Sequence, residues 1–266
     1  MGSASDYLEA ELLDHVLKTG AYTQPTNIYV ALSTETIDDA TTGGDISEPS
    51  GGSYARKLHN TWNAAASRAT SNDGAITFDE ATGDWGTITD WALIDASTNG
   101  NVLAYGTFST SKAISAGDDA VIGDEELDIS FSSGGCSTYL ANELLDHVFK
   151  VGEYTPATNI YVGLSDTTID DATTGGDVSE VTFGYARVEC NTWDAAVTTG
   201  TAVADNTAAI TFAAASGSWG TITDMFLADS TDAGNILFYC SVDTSKTIGS
   251  GDTVQIDAGS FDVTLD

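Results

Sequence analysis

Two segments of the chain carry apolar residues at helical spacing. In the first, Leu8, Leu12, Leu13, Val16 and Leu17 recur three or four positions apart, Ser5 or Asp6 stands where a cap is needed, Lys18 falls in the last turn and Gly20 can end the element. A second segment of the same kind runs from Ser137 to Gly152. Everything else is patterned for strands. Asn27 to Leu32 puts Ile28, Val30 and Leu32 on one face; Tyr54 to His59, Ala75 to Phe78, Ile88 to Ala96 and Asn101 to Phe108 are short apolar or β-branched runs bounded by Gly, Asn, Asp and Ser. Leu127, Ile129 and Phe131 alternate with Asp128 and Ser130, the pattern of a strand with one buried and one wetted face. Asn99-Gly100 supplies the turn between the two longest runs.

These patterns occur twice. Tyr7 to Glu48 aligns without a gap on Tyr139 to Glu180, with 31 of 42 positions identical, and the correspondence continues from Ala75-Ile76-Thr77-Phe78 against Ala209-Ile210-Thr211-Phe212 to Leu127-Asp128-Ile129 against Phe261-Asp262-Val263. A period of about 130 residues exceeds that of a solenoid unit, so each copy is expected to be a domain with its own core. The predicted fold is mainly β: two tandem antiparallel β-sandwich domains, each with an N-terminal α-helix, over residues 1–133 and 136–266, joined through Ser132-Ser133-Gly134-Gly135.

Charge narrows the function. The 266 residues include 40 acidic and 8 basic side chains, a net charge of −32 divided equally between the halves. Repulsion from phosphate excludes nucleic acid as a partner, and anionic membrane surfaces with it. No run of about 18 apolar residues exists, and the N-terminal stretch lacks the basic and apolar regions of an export signal, so neither a membrane span nor a secretory leader is expected. An acid excess of five to one resembles halophilic composition and predicts a saline or marine host. Cys136, Cys190 and Cys240 are an odd number, all in the second half, and read as small buried residues without a disulfide framework.

Candidate chemistry is sparse. His15 and His147 occupy matching helix positions and read as surface or capping residues, while His59 is matched by Cys190, which argues against a shared catalytic role. No nucleophile elbow, zinc motif or phosphate loop occurs, so no catalytic residue and no cofactor is assigned, and the protein is expected not to be an enzyme. The loop Asp38-Asp39-Ala40-Thr41-Thr42-Gly43-Gly44-Asp45 recurs as Asp170 to Asp177. It reads as a solvated acidic loop, with Asp38, Asp39 and Asp45, and Asp170, Asp171 and Asp177, as the candidate ligands should it hold a hard cation. Trp62, Trp85, Trp91, Trp193 and Trp219 read as core packing in preference to a sugar-stacking platform.

The series Tyr139-Leu140, Leu144-Leu145-Asp146-His147-Val148, Asn159 to Ser165, Gly184-Tyr185-Ala186-Arg187, Trp219 to Thr223, Gly234 to Leu237 and Ser245 to Asp252 resembles small virion structural proteins of tailed viruses. The chain departs from their single-domain form by carrying two copies, and its first copy has Ser53 where the second has Gly184. The resemblance implies a non-enzymatic virion protein on the outer surface, assembled in the host cytoplasm. The reading taken from it is a capsid decoration bound to the major capsid protein, with a tail fibre or baseplate component contacting tail proteins second and a glycan-binding module third. Self-association into a homo-oligomer is expected, with the opening helices and the Tyr22 and Tyr154 segments as contact candidates.

Overall fold

The computed structural model describes residues 2–133, 135–197 and 200–265; Gly134 of the expected connector lies outside them. The first repeat contains β1 (Ser3–Ala4), α1 (Asp6–Leu17), β2 (Tyr29–Ser33), β3 (Lys57–Leu58), β4 (Ala69–Ser71), β5 (Ile76–Thr77), β6 (Gly86–Ile94), β7 (Val102–Ile114), β8 (Val121–Ile122) and β9 (Asp128–Ser130). The second contains α2 (Thr138–Val148), β10 (Tyr161–Ser165), β11 (Val188–Glu189), β12 (Ala202–Asp205), β13 (Ile210–Thr211), β14 (Gly220–Ala228), β15 (Ile236–Ile248), β16 (Gln255–Ile256) and β17 (Asp262–Leu265). Each repeat is mainly β and antiparallel. The main sheets have the orders β1-β7-β6-β2-β3 and β11-β10-β14-β15, and each faces two short ladders, β4-β9 with β5-β8 and β12-β17 with β13-β16. Every ladder stays within one repeat.

Both helices start as the sequence predicts. Ser5 Oγ accepts from the Leu8 N–H at 3.3 Å and Ser137 Oγ from the Leu140 N–H at 3.1 Å. Their ends differ from expectation. Lys18 and Lys150, and not the glycines two residues later, take the left-handed conformation, both at φ 66°. A lysine tolerates this cost because its side chain gains a partner across the molecule: Lys18 Nζ donates to the Thr158 carbonyl at 2.5 Å, and Lys150 Nζ to the Thr26 carbonyl at 2.6 Å.

The expectation of two separate cores is corrected. The largest buried cluster is continuous through both repeats, from Leu8, Leu12 and Leu13 to Leu140, Leu144 and Leu145. The helices are the reason. α1 packs on β12 and β17 of the second repeat as well as on its own β7, and α2 packs on β4 of the first as well as on its own β15. Each helix has apolar residues on more than one side, so it buries one side at home and the other across the pseudo-twofold.

A smaller cluster occupies the outer face of each main sheet. In the first repeat Ala31, Ala92, Ile94 and Val102 meet Ile37 and Ile46, which flank the acidic loop; in the second, Phe226, Ala228 and Ile236 meet Ile169 and Val178. The acidic loops are therefore covers whose apolar ends are tied to the sheet. All five tryptophans are buried, as expected. Cys136 and Cys190 are buried, Cys240 is half-buried, and all three are free thiols.

Candidate functional site

The acidic loops are held by an arginine clamp in each repeat. Arg56 spans from Glu48, at 2.9 Å, to the carbonyls of Gly43, Ala96 and Asn99, and so ties the loop to the turn between β6 and β7. Arg187 does the same with Glu180, at 3.0 Å, and the carbonyls of Gly175, Ser230 and Ala233. A planar guanidinium suits this position because its fixed fork reaches a carboxylate and several carbonyls together. Tyr54 and Tyr185 complete the clamps by donating to Glu48 at 2.7 Å and Glu180 at 2.8 Å. Burial and then the adjacent glutamate push the Tyr54 phenol far above its ordinary range, and burial does the same to Tyr185, so both remain donors. Ser53, at φ 68°, takes the left-handed backbone that Gly184 takes at 81°, so the sequence departure between the copies leaves the local conformation in place.

Within the loops the candidate carboxylates bond locally. Asp38 accepts from the Thr41 hydroxyl at 2.6 Å and Asp45 from Thr42 at 2.5 Å; Asp170 accepts from Thr173 at 2.7 Å and Asp177 from Thr174 at 2.6 Å. Asp39 and Asp171 accept from the hydroxyls of Tyr105 and Tyr239. Asp171 also lies 3.8 Å from Arg68. The Thr173 hydroxyl, with backbone N–H groups behind it, holds the Asp170 carboxyl below the usual range. Among the described residues, no group of three or more His, Cys, Asp or Glu side chains converges as a metal site.

A reciprocal polar constellation lies between the repeats, and it corrects the surface reading of the helix histidines. His15 and His147 are buried, and their rings stack across the pseudo-twofold with centroids 5.1 Å apart and planes 8° from parallel. Each Nδ1 accepts the N–H of its own repeat's tyrosine, Tyr22 or Tyr154, at 3.2 Å. That fixes the proton on Nε2, which donates to the tyrosine carbonyl of the other repeat at 3.3 Å for His15 and 3.4 Å for His147. Burial, chiefly, holds the His147 imidazolium form below its ordinary range. Further contacts are reciprocal: Asp14 accepts from the Ala196 N–H and Asp146 from the Ala65 N–H, both at 2.6 Å. This is the signature of an isologous interface folded into one chain. The helices and the Tyr22 and Tyr154 segments, proposed from sequence as contacts for other molecules, are thus spent on each other. The shared position of His15 and His147 in the two copies was the available signal; their meeting required the arrangement of the repeats.

Asymmetric contacts also join the halves. Arg68, buried, donates to the carbonyls of Cys136, at 2.5 Å, and Ser132, and so fixes the connector between the repeats; Ala202 stands in its place in the second copy.

The profile of the family described as podophage GP4 fiber I protein gp80 matches the chain twice, over residues 3–130 and 135–264. A search of curated proteins finds no match.

Proposed function

Since the chain belongs to the podophage GP4 fiber I protein gp80 family, which it carries twice in tandem, we propose that it serves in the tail-fibre apparatus of a tailed virus as a non-enzymatic structural component on the outside of the particle. The tandem family match is the observation that carries this reading, and it favours the fibre over the capsid decoration to which the sequence reading gave first place. The architecture supports it. Polar groups shared by the two repeats hold loops and repeats together: Arg56 and Arg187 in the clamps, the two helix histidines against each other. Among the described residues no helix is long and apolar enough to cross a membrane. We take residues 1–133 and 136–266 as the two units of this component, on the ground that every ladder stays inside one of them.

Quantitative mass spectrometry of purified particles, combined with immunogold labelling, tests the assignment. A fibre component is expected at on the order of a dozen copies per particle, with label at the tail; label spread over the head at hundreds of copies would assign it to the capsid, bound to the major capsid protein.

A further inference from the structure

In a protein of charge −32, the destinations of the 8 basic side chains are informative. Six are consumed by the fold. Lys18 and Lys150 bind carbonyls across the repeat interface, Arg56 and Arg187 clamp the acidic loops, Arg68 fixes the connector, and Lys57 pairs with Asp79. The remaining two, Lys112 and Lys246, are exposed and form no hydrogen bond or ion pair with any described residue. They are each other's counterparts in the two repeats, and each lies at the lip of a groove at the same place in its repeat.

The grooves arise from a large bulge. Ile88 pairs with Lys112 and Asp90 with Thr107, so one residue of β6 faces four of β7; Ile222 with Lys246 and Asp224 with Ser241 repeat this between β14 and β15. The bulged strand leaves a gap between the main sheet and the short ladder beneath it. In the first repeat the gap is about 500 Å³, lined by Leu32, Ile88, Trp91 and Ile122, with Thr107 and Glu126 at its polar rim; in the second it is about 290 Å³, lined by Leu164, Ile222, Met225 and Val254. Beside each groove runs an open sheet edge. β1 covers β7 only at Ala104 and Tyr105, and the start of the second repeat covers β15 only near Phe238 and Tyr239; among the described residues nothing pairs with the outer edges over 107–114 and 241–248.

We propose that these grooves receive an extended segment of a neighbouring virion protein in which apolar and acidic side chains alternate. Its main chain adds to the open edge of β7 or β15, its apolar side chains enter the gap between the layers, and a carboxylate reaches Lys112 or Lys246. Local charge selects this occupant: Lys112 and Lys246 have no partner among the described residues, whereas Glu126 at the first rim is held by the Gly123 N–H at 2.6 Å. The rest of the surface repels an acidic strand, and the two cations the fold does not use stand where such a strand would lie. The source of the segment rests on the fibre assignment; the chemistry of the groove does not.

The test uses the full chain and a short blocked peptide alternating valine and aspartate, with an asparagine version as control, followed by calorimetry and by tryptophan fluorescence, to which Trp91 in the first groove contributes. The aspartate peptide is expected to bind, and to bind about tenfold more weakly to Lys112→Gln, with a further loss in Lys112→Gln/Lys246→Gln; the asparagine peptide should show the same weakening on the wild-type chain. Unchanged melting temperatures of the variants exclude a folding defect. Absence of binding at about 1 mM peptide, or equal binding by the double variant, would overturn the proposal. Self-association of the double variant without peptide would overturn it too, by assigning the lysines to protection of the edge. None of these outcomes depends on where the protein sits in the particle.

Discussion

Residue-level differences between the two copies show how one backbone accepts two packings. Ala31 faces Ala92 across β2 and β6, and the same cross-strand pair in the second repeat is Gly163 facing Phe226. The phenylalanine ring fills the space a Cβ at position 163 would need, and it also carries the Arg187 guanidinium 4.9 Å above its centre. Gly163→Ala is therefore expected to destabilise the protein by about 1–3 kcal/mol through overpacking. In a Phe226→Ala background the same change should cost almost nothing, so a double-mutant cycle from urea melts should assign nearly the whole effect to coupling between the two side chains. Additive losses would mean that the strand, and not the ring, is what the glycine accommodates.

At the scale of elements, polar contacts decide which segments stay together. Arg187, whose side chain is fully buried, joins the acidic loop to the turn between β14 and β15; Arg187→Met should cost about 3 kcal/mol by removing the cation that pairs with Glu180 and the donor to three carbonyls. Arg187→Lys should recover little, because an ammonium lacks the fork. Hydrogen exchange in residues 166–180 should accelerate in both variants while the helices remain protected. The helix pair has a different sensitivity. A proton on Nδ1 of His147 would replace an acceptor by a donor facing the Tyr154 N–H, so at this residue the folded state resists protonation that the unfolded chain accepts near pH 6.5. The stacked His15 ring opposes the added charge on His147, while the Tyr22 carbonyl and Glu153 favour it. With the folded value of His147 depressed, its stabilisation is complete above about pH 6.5 and is lost as the pH falls through the lower folded value. The melting temperature should drop by a few degrees between about pH 7.5 and 5.5, where roughly 2–4 °C corresponds to 1 kcal/mol. His147→Gln should flatten that slope. Carboxylate repulsion acts with the opposite sign, since it weakens on acidification, so a drop cannot come from the surface acids.

Over the whole molecule the charge is nearly unopposed. Four ion pairs are formed among the described residues, and one of them, Lys57 with Asp79, is exposed on both sides. Most carboxylates therefore face water and one another. Raising salt from about 0.05 to 2 M shortens the Debye length to a few Å and should raise the melting temperature. A flat or falling curve would remove the physical basis for a saline host. The fused interface shapes assembly as well. The helix faces are occupied within the chain, so the attachment proposed for the edges of β7 and β15 does not compete with the interface between the repeats.

The repeat and the elements inside it were legible in the sequence because they depend on local periodicity. The heptad-like leucines of α1 and α2, the serine caps and the Asn99-Gly100 turn each act within a few residues, and the duplication was visible as identity. β4 and β8 were not legible, since two or three residues of a short ladder carry too little alternation to stand out; β7 runs six residues past Phe108 because tertiary pairing with β6 resumes beyond the bulge. At the candidate sites, the acidic loops could be found by composition, but Thr41, Thr42 and Tyr105 took up their carboxylates through contacts that only the folded loop provides. His15 and His147 lie 132 positions apart, and nothing local distinguishes a surface histidine from one stacked on its twin. Sequence alone determined what each repeat is made of. How the two repeats bury their helices in each other was decided by the tertiary structure, because burial of a helix's second face depends on a partner that the sequence pattern does not name.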